Sequence, residues 1–397
     1  MSSSPSRPLA GRRIWIAGIG GAGMSAYGHV AHAWGAEVAG WDRVETPYLE
    51  HLTGIDVTIA PEPPAPPRGF EVYVSTAFAG RVEGRPREVL LSELVSLRRS
   101  IVVAGAHGKT TTSGMIAFCL DRLGLDPAFV IGGEIPQLGG NARAGGGWFV
   151  VEGDESDRSV AALRPEIAVL LNVDLDHHAT FGTRAEVAAL FEGWLAHVPK
   201  VVRAEELEPV QLPLAVPGGH NRANAAAALA VLELAGVARA EAERVIVEFR
   251  GAGRRLEQKG IAGGVTVLDS YAHHPAELAA DLAAIRDGGR VLALFQPHLY
   301  SRTVHLAHDF AVALAGADAV CVTDVYPARE DPLLGVSGKL IVDELARVRP
   351  GLRLGWAPSL DDAVAVVASW ARAGDIVLTL GAGDVERAAP LLLEALA

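Results

Sequence analysis

Lysine is nearly absent from this 397-residue chain: Lys109, Lys200, Lys259 and Lys339 are all there are, and the other 31 basic residues are arginine. Cysteine is scarcer still. Cys119 and Cys321 lie far apart in apolar stretches, which argues against a disulfide framework or a cysteine-built zinc site and points to a reducing compartment, the cytoplasm. No uncharged apolar run approaches the roughly 18 residues of a membrane span, so no membrane insertion is expected. Excess positive charge is also missing. The net charge is −12 and no basic block occurs, so nucleic acid is not an expected partner. What is plentiful is apolar surface, 50% of residues, enough to offset chain entropy in a folded protein. Glycine is plentiful too: 44 residues, about 11% against a usual ~7%, as many tight turns require.

Short apolar runs alternate with helical patterns along the chain: Ile14–Gly18, Val72–Ser75, Ile101–Gly105, Trp148–Glu152, Ile167–Asn172, Val265–Asp269, Val291–Phe295, Ala319–Thr323 and Ile376–Leu380. Runs of this kind between helices predict parallel sheets in α/β layers. Nine strands exceed one comfortable sheet, so several α/β units are expected in tandem. A helix ends and a strand begins near Arg98–Ser100, and the glycine-rich stretch Arg250–Gly264 reads as a hinge. These breaks divide the chain into residues 1–99, 100–250 and 251–397.

The chemistry-bearing strings follow strands. Gly18-Ile19-Gly20-Gly21-Ala22-Gly23 fits G-x-G-x-x-G, with Asp42 ending a second strand 19 residues later, where a ribose-binding acid belongs. Such glycines let a backbone approach a pyrophosphate at a helix N-terminus. The pattern by itself equally suits a nicotinamide-dependent dehydrogenase or a plain glycine turn. Gly105-Ala106-His107-Gly108-Lys109-Thr110-Thr111-Thr112 stands between strand and helix. Its backbone N–H groups would wrap phosphates, Lys109 would reach the β/γ oxygens, and the Thr110 hydroxyl would bind Mg²⁺. Val103 occupies the place of the first P-loop glycine. A rare lysine landing at this turn favours function over chance.

Two acidic strings come next, Glu152-Gly153-Asp154-Glu155-Ser156-Asp157 and Asn172-Val173-Asp174-Leu175-Asp176-His177-His178. Each alone reads as a solvated loop. Both at strand ends after a P-loop are Mg²⁺–phosphate ligands in waiting. His220-Asn221-Arg222-Ala223-Asn224 opens an alanine-rich helix, where asparagine either caps the helix or reads an adenine edge. Tyr271-Ala272-His273-His274-Pro275 and Phe295-Gln296-Pro297-His298-Leu299-Tyr300-Ser301-Arg302-Thr303 close the series. Phosphate or substrate contact fits them better than a metal, because neighbours on a strand point opposite ways.

In this order the strings resemble the Mur ligase family, and within it the branch that adds L-alanine to UDP-N-acetylmuramate. The resemblance implies three domains: a Rossmann-like UDP-binding domain, a P-loop ATPase and a Rossmann-like ligase domain. It implies an ATP-dependent amide-bond-forming enzyme working through an acyl phosphate in peptidoglycan precursor synthesis. Carried over residue by residue, it places Gly20, Gly21, Ala22 and Gly23 at the UDP group, with Asp42 as the substrate-binding acid already read from the strand end, and Gly105, His107, Gly108, Lys109, Thr110 and Thr111 at the phosphates. Thr110, Glu152 and His177 become Mg²⁺ ligands, and Asn221, Asn224 and Asp269 nucleotide contacts. Arg255, His274, His298 and Arg302 line the reacting centre. The resemblance also implies a monomer or homodimer. No lysine lies between Thr110 and Pro199, as suits a branch without a carbamylated lysine. Departures are Ala106 for Thr, Gly153 for Ala, Leu256 for Phe, Leu299 for Arg, and Ser270 for an Asp whose role Asp269 is expected to take. The 43 positions from His177 to His220 are fewer than the family pattern implies, as if the ATPase domain were trimmed. Competing readings are a murein-peptide recycling ligase and a non-catalytic nucleotide-binding homologue.

Overall fold

A computed structural model describes residues 7–175, 180–328 and 330–397. They form two compact units, residues 7–175, 180–216 and 221–252 in one, 217–220 and 253–397 in the other. The first unit carries two sheets. In the first sheet, β1 (Arg13–Ala17), β2 (Glu37–Asp42), β3 (Asp56–Ile59), β4 (Glu71–Val74) and β5 (Arg85–Pro86) run in the order β3-β2-β1-β4-β5, all parallel. The second holds β6 (Ser100–Ala104), β7 (Ala128–Ile135), β8 (Gly140–Arg143), β9 (Phe149–Glu152), β10 (Ile167–Leu170) and β11 (Lys200–Arg203), in the order β11-β10-β6-β9-β7-β8. Only β8 is antiparallel.

The second unit has one sheet of β12 (Glu257–Ala262), β13 (Val265–Ser270), β14 (Val291–Phe295), β15 (Ala319–Val322), β16 (Arg353–Trp356) and β17 (Ile376–Leu380), in the order β12-β13-β17-β14-β15-β16. β12 alone is antiparallel to its neighbour. All nine apolar runs are strands, and the three-sheet α/β architecture agrees with the expectation. The central strands are buried on both faces: β6, β14 and β17 have no exposed residue. Such strands read as continuous apolar runs.

The glycine-rich stretch read as a hinge is in part a strand, β12, which pairs along β13. Its Glu257, Gln258 and Lys259 are tolerated because it is a half-exposed edge. Among the helices, α1 (Ala22–Ala33), α2 (Arg87–Ser96), α3 (Lys109–Arg122), α4 (Arg184–Leu195), α5 (Gly219–Leu234), α6 (Arg239–Ile246), α7 (Pro275–Ile285) and α8 (Tyr300–Leu314) position the functional strings. No helix among the described residues is long and apolar enough to cross a membrane.

Candidate active site

The glycine turn between β1 and α1 is fastened from β2. Asp42 accepts from Gly20 N at 2.7 Å and Arg43 N at 2.7 Å, while Thr46 Oγ1 donates to Gly20 O at 2.6 Å. A Cβ on Gly20 would stand 2.9 Å from Asp42 Oδ2, so glycine is required there. Asp42 thus spends its carboxylate on shaping the turn. Gly21, the N-cap of α1, gives that helix no side-chain cap, and the turn with Ala22 and Gly23 keeps the form of an anion-binding helix start.

The P-loop lies at the carboxyl edge of the second sheet. Val103 of β6 pairs with Glu152 of β9, and Ala104 pairs with Leu170 of β10. The loops after these strands therefore converge. Gly108 is the N-cap of α3 with φ 84, and a Cβ there would meet Asn224 Oδ1 at 2.5 Å. That contact sets Asn224 of α5 against the P-loop, with its Nδ2 donating to Asn221 Oδ1 at 3.4 Å. His107 is clipped by Asn172, whose Oδ1 accepts from His107 N and whose Nδ2 donates to His107 O, both at 2.9 Å. Lys109 Nζ donates to Gly105 O at 2.7 Å and to both oxygens of Glu155 at 3.0 Å. Burial works against the Lys109 charge, but Glu155, Glu152 and Asp154 outweigh it and raise its pKa above the usual lysine value.

Glu152 accepts from Thr110 Oγ1 at 3.0 Å and Gly132 N at 2.8 Å. A Cβ on Gly132 would lie 2.9 Å from either Glu152 oxygen. A carboxylate and a hydroxyl side by side at the first turn of the P-loop helix are the hard-oxygen donors Mg²⁺ takes, so the residues present fit such an ion. His177, and Asp176 beside it, lie outside the described residues.

In the second unit, Arg302 Nη1 lies 3.3 Å from His298 Nδ1, and the His298 ring contacts both His273 and Tyr326. Leu299, preceding α8, has φ 72, a strained value for a branched residue. Arg255 donates to Glu277 Oε1 at 3.3 Å. His274 is buried, and its Nδ1 accepts from Ala276 N at 3.4 Å as the N-cap of α7. Asp269 lies in β13 beside Ser270. It is fully buried and accepts from Arg254 Nε at 2.8 Å and Thr379 Oγ1 at 2.6 Å. Both oxygens hold β13 to its surroundings.

Ser270 instead donates to Asp281 of α7 at 2.5 Å. Burial pushes the Asp281 carboxyl up to about 6, against the Ser270 hydrogen bond and Arg255. A raised acid holds its proton more tightly when folded. Its penalty is therefore absent below the unfolded value, grows as pH rises and is complete above about 6. Asp281→Asn is expected to stabilise the protein by on the order of 3 kcal/mol at pH 8 and by little at pH 4. Thermal melting at the two pH values checks this. Equal gains at both would show that Asp281 is not buried with a proton.

Residues 103–201 match the Mur ligase middle domain, and residues 254–383 the Mur ligase, glutamate ligase domain. UDP-N-acetylmuramate–L-alanine ligases of Streptomyces coelicolor and Thermobifida fusca are 39% and 38% identical to the chain. Those alignments cover 99% of both proteins in the first case, and 97% of the chain and 96% of the relative in the second. The chain belongs to the Mur ligase family. Among solved structures, UDP-N-acetylmuramate–alanine ligase of Thermotoga maritima superposes with a TM-score of 0.80 at 26% identity, covering 96% of this chain and 98% of that one. A murein peptide ligase of Psychrobacter arcticus shares the fold, with a TM-score of 0.67 at 23% identity and coverage of 97% and 99%. The Streptomyces alignment runs over 461 positions, more than this Mur ligase has residues, so the chain is shortened relative to that relative.

Three side chains of this Mur ligase's site were not singled out from the strings: Glu155 on Lys109, Asn172 on His107, and Arg87, which binds Asp154 and Asp157. Glu155 and Asn172 lay within strings already marked. Arg87 carried no sequence signal, since it is one arginine among 31.

Proposed function

We propose that this Mur ligase joins L-alanine to the lactyl carboxylate of UDP-N-acetylmuramate at the expense of ATP, releasing ADP and phosphate in cytoplasmic peptidoglycan precursor synthesis. The observation that carries the reading is the P-loop in which Lys109, Thr110 and Glu152 converge, in a chain 36–39% identical over nearly its whole length to ligases bearing that name.

A carboxylate resists amines because its charge and resonance repel the nucleophile. Attack of a carboxylate oxygen on the γ-phosphorus, with ADP leaving, removes the charge and creates a leaving group. The amine of L-alanine then adds to the acyl carbon, loses a proton and expels phosphate. In this reading the backbone N–H groups from Gly105 to Thr111 cradle the phosphates, and Lys109 exchanges Glu155 for γ-phosphate oxygens as transfer begins. Thr110, Glu152 and His177 would hold Mg²⁺, which supplies charge neutralisation at the triphosphate. Asn221 and Asn224 take the adenine, and the turn Gly20–Gly23 shaped by Asp42 takes the UDP diphosphate. Arg255, His274, His298 and Arg302 are assigned to the reacting centre. Residues 1–99, 100–250 and 251–397 are the UDP-binding, ATP-binding and ligase domains, in a monomer or homodimer.

The test omits L-alanine. With ATP and UDP-N-acetylmuramate alone, hydroxylamine should give a hydroxamate at the lactyl carboxyl, or borohydride the alcohol. Arg302→Ala should lower that yield by roughly 10–10³-fold, the worth of one preorganised cationic contact. Ready amide formation with neither adduct under any trapping condition would overturn the stepwise route. Trapping without product from alanine would overturn the amine assignment.

A further inference from the structure

Arg87 opens α2, directly after the edge strand β5 of the first sheet. Its guanidinium reaches into the loop that follows β9 in the second sheet. Nε donates to Asp157 Oδ2 at 2.8 Å and Nη2 to Asp154 Oδ2 at 2.7 Å. The other oxygens of these aspartates are committed locally, Asp154 Oδ1 to Ser156 N at 2.8 Å and Asp157 Oδ1 to Ser159 N at 3.0 Å. The segment is thus two short carboxylate-closed turns, both gripped by one arginine. Between them stands Glu155, 3% exposed, with both oxygens on Lys109 Nζ.

We propose that Arg87 is a positioning residue for phosphoryl transfer: by clamping Asp154 and Asp157 it sets Glu155 on Lys109, so that the ammonium already lies in the P-loop when nucleotide arrives. The inference rests on the reading of Lys109 as the phosphate-binding lysine, but its first test needs no substrate. Lys109 can be followed by acetic anhydride labelling and mass spectrometry, with exposed Lys339 as internal reference. Freed from Glu155, the amine is no longer pinned by two carboxylate oxygens and opens to the reagent. Arg87→Ala and Glu155→Gln should each raise the Lys109:Lys339 labelling ratio by roughly 3–10-fold, the mark of a local opening. Because Arg87 acts through Glu155, the double variant should label no faster than Glu155→Gln alone. Arg87→Lys, one charge without the two-pronged fork, should fall between.

In steady state, Arg87→Ala should lower kcat by about 10-fold or more, while the KM for UDP-N-acetylmuramate moves less than about 3-fold, the pattern of a transition-state rather than a binding defect. If Arg87→Ala does not fold, Asp157→Asn, which removes one prong, should give an intermediate labelling ratio. A wild-type ratio in the folded variants, or effects of Arg87→Ala and Glu155→Gln that multiply, would overturn the proposal. A rise in KM with kcat unchanged would also overturn it, since Arg87 would then be a direct ligand contact. Altered labelling in a chain with no ligase activity would sink the proposed reaction and leave the clamp standing.

Discussion

Lys109→Ala is expected to lower kcat by about 10²-fold or more, because the removed charge acts on the phosphoryl group as it transfers. The structure adds a second consequence that composition did not reveal. Glu155 is buried against Lys109, and removing one partner of a buried pair leaves an uncompensated carboxylate, at a cost on the order of 3 kcal/mol. The single variant should therefore melt earlier as well as turn over slowly. Lys109→Met combined with Glu155→Gln separates the two effects. Both charges are gone, so the melting temperature should recover most of its loss while phosphate release stays at the level of Lys109→Ala. Turnover within tenfold of wild type in a folded Lys109→Ala protein would refute the assignment of this lysine. A double variant no more stable than the single would show that the Glu155 pair carries no stability.

Glu152→Gln should be nearly as damaging. The substitution keeps the shape and one acceptor for the Thr110 hydroxyl and Gly132 N–H, but removes the negative charge that would draw a divalent cation to the P-loop. The expected result is a loss of about 10²-fold in kcat, with the midpoint of the Mg²⁺ titration raised more than about tenfold. Gly132→Ala tests the same point by shape. Its Cβ would stand 2.9 Å from both Glu152 oxygens and must displace the carboxylate, so its Mg²⁺ titration should shift in the same direction. Phosphate release measured across Mg²⁺ concentrations reads both. An unchanged midpoint in Glu152→Gln would make Glu152 a mere clasp between α3 and β7.

The sequence by itself determined the layer type and the places where chemistry starts. Strands buried on both faces, such as β6 and β14, must be written as apolar runs. Turns that let backbone approach phosphate must be written with glycine, as at Gly20 and Gly108. Both constraints are local, so they survive in a linear string. Edge strands escaped that reading, β12 above all, because one solvated side lets Glu257, Gln258 and Lys259 replace the apolar pattern.

Only the tertiary structure decided which charges meet. The strand order β10-β6-β9 and the pairing of Val103 with Glu152 bring Lys109 to Glu155, 46 positions away, and Arg87 to Asp157, 70 positions away. The same holds for the acids of the second unit. Asp269 is bonded by Arg254 and Thr379, and the carboxylate bonded to Ser270 comes from Asp281 on α7. Hydrophobic periodicity reports that a face is buried, not which element buries it. Partner choice among charges is set by neighbours that are distant in sequence, so it becomes visible only once the sheets have formed.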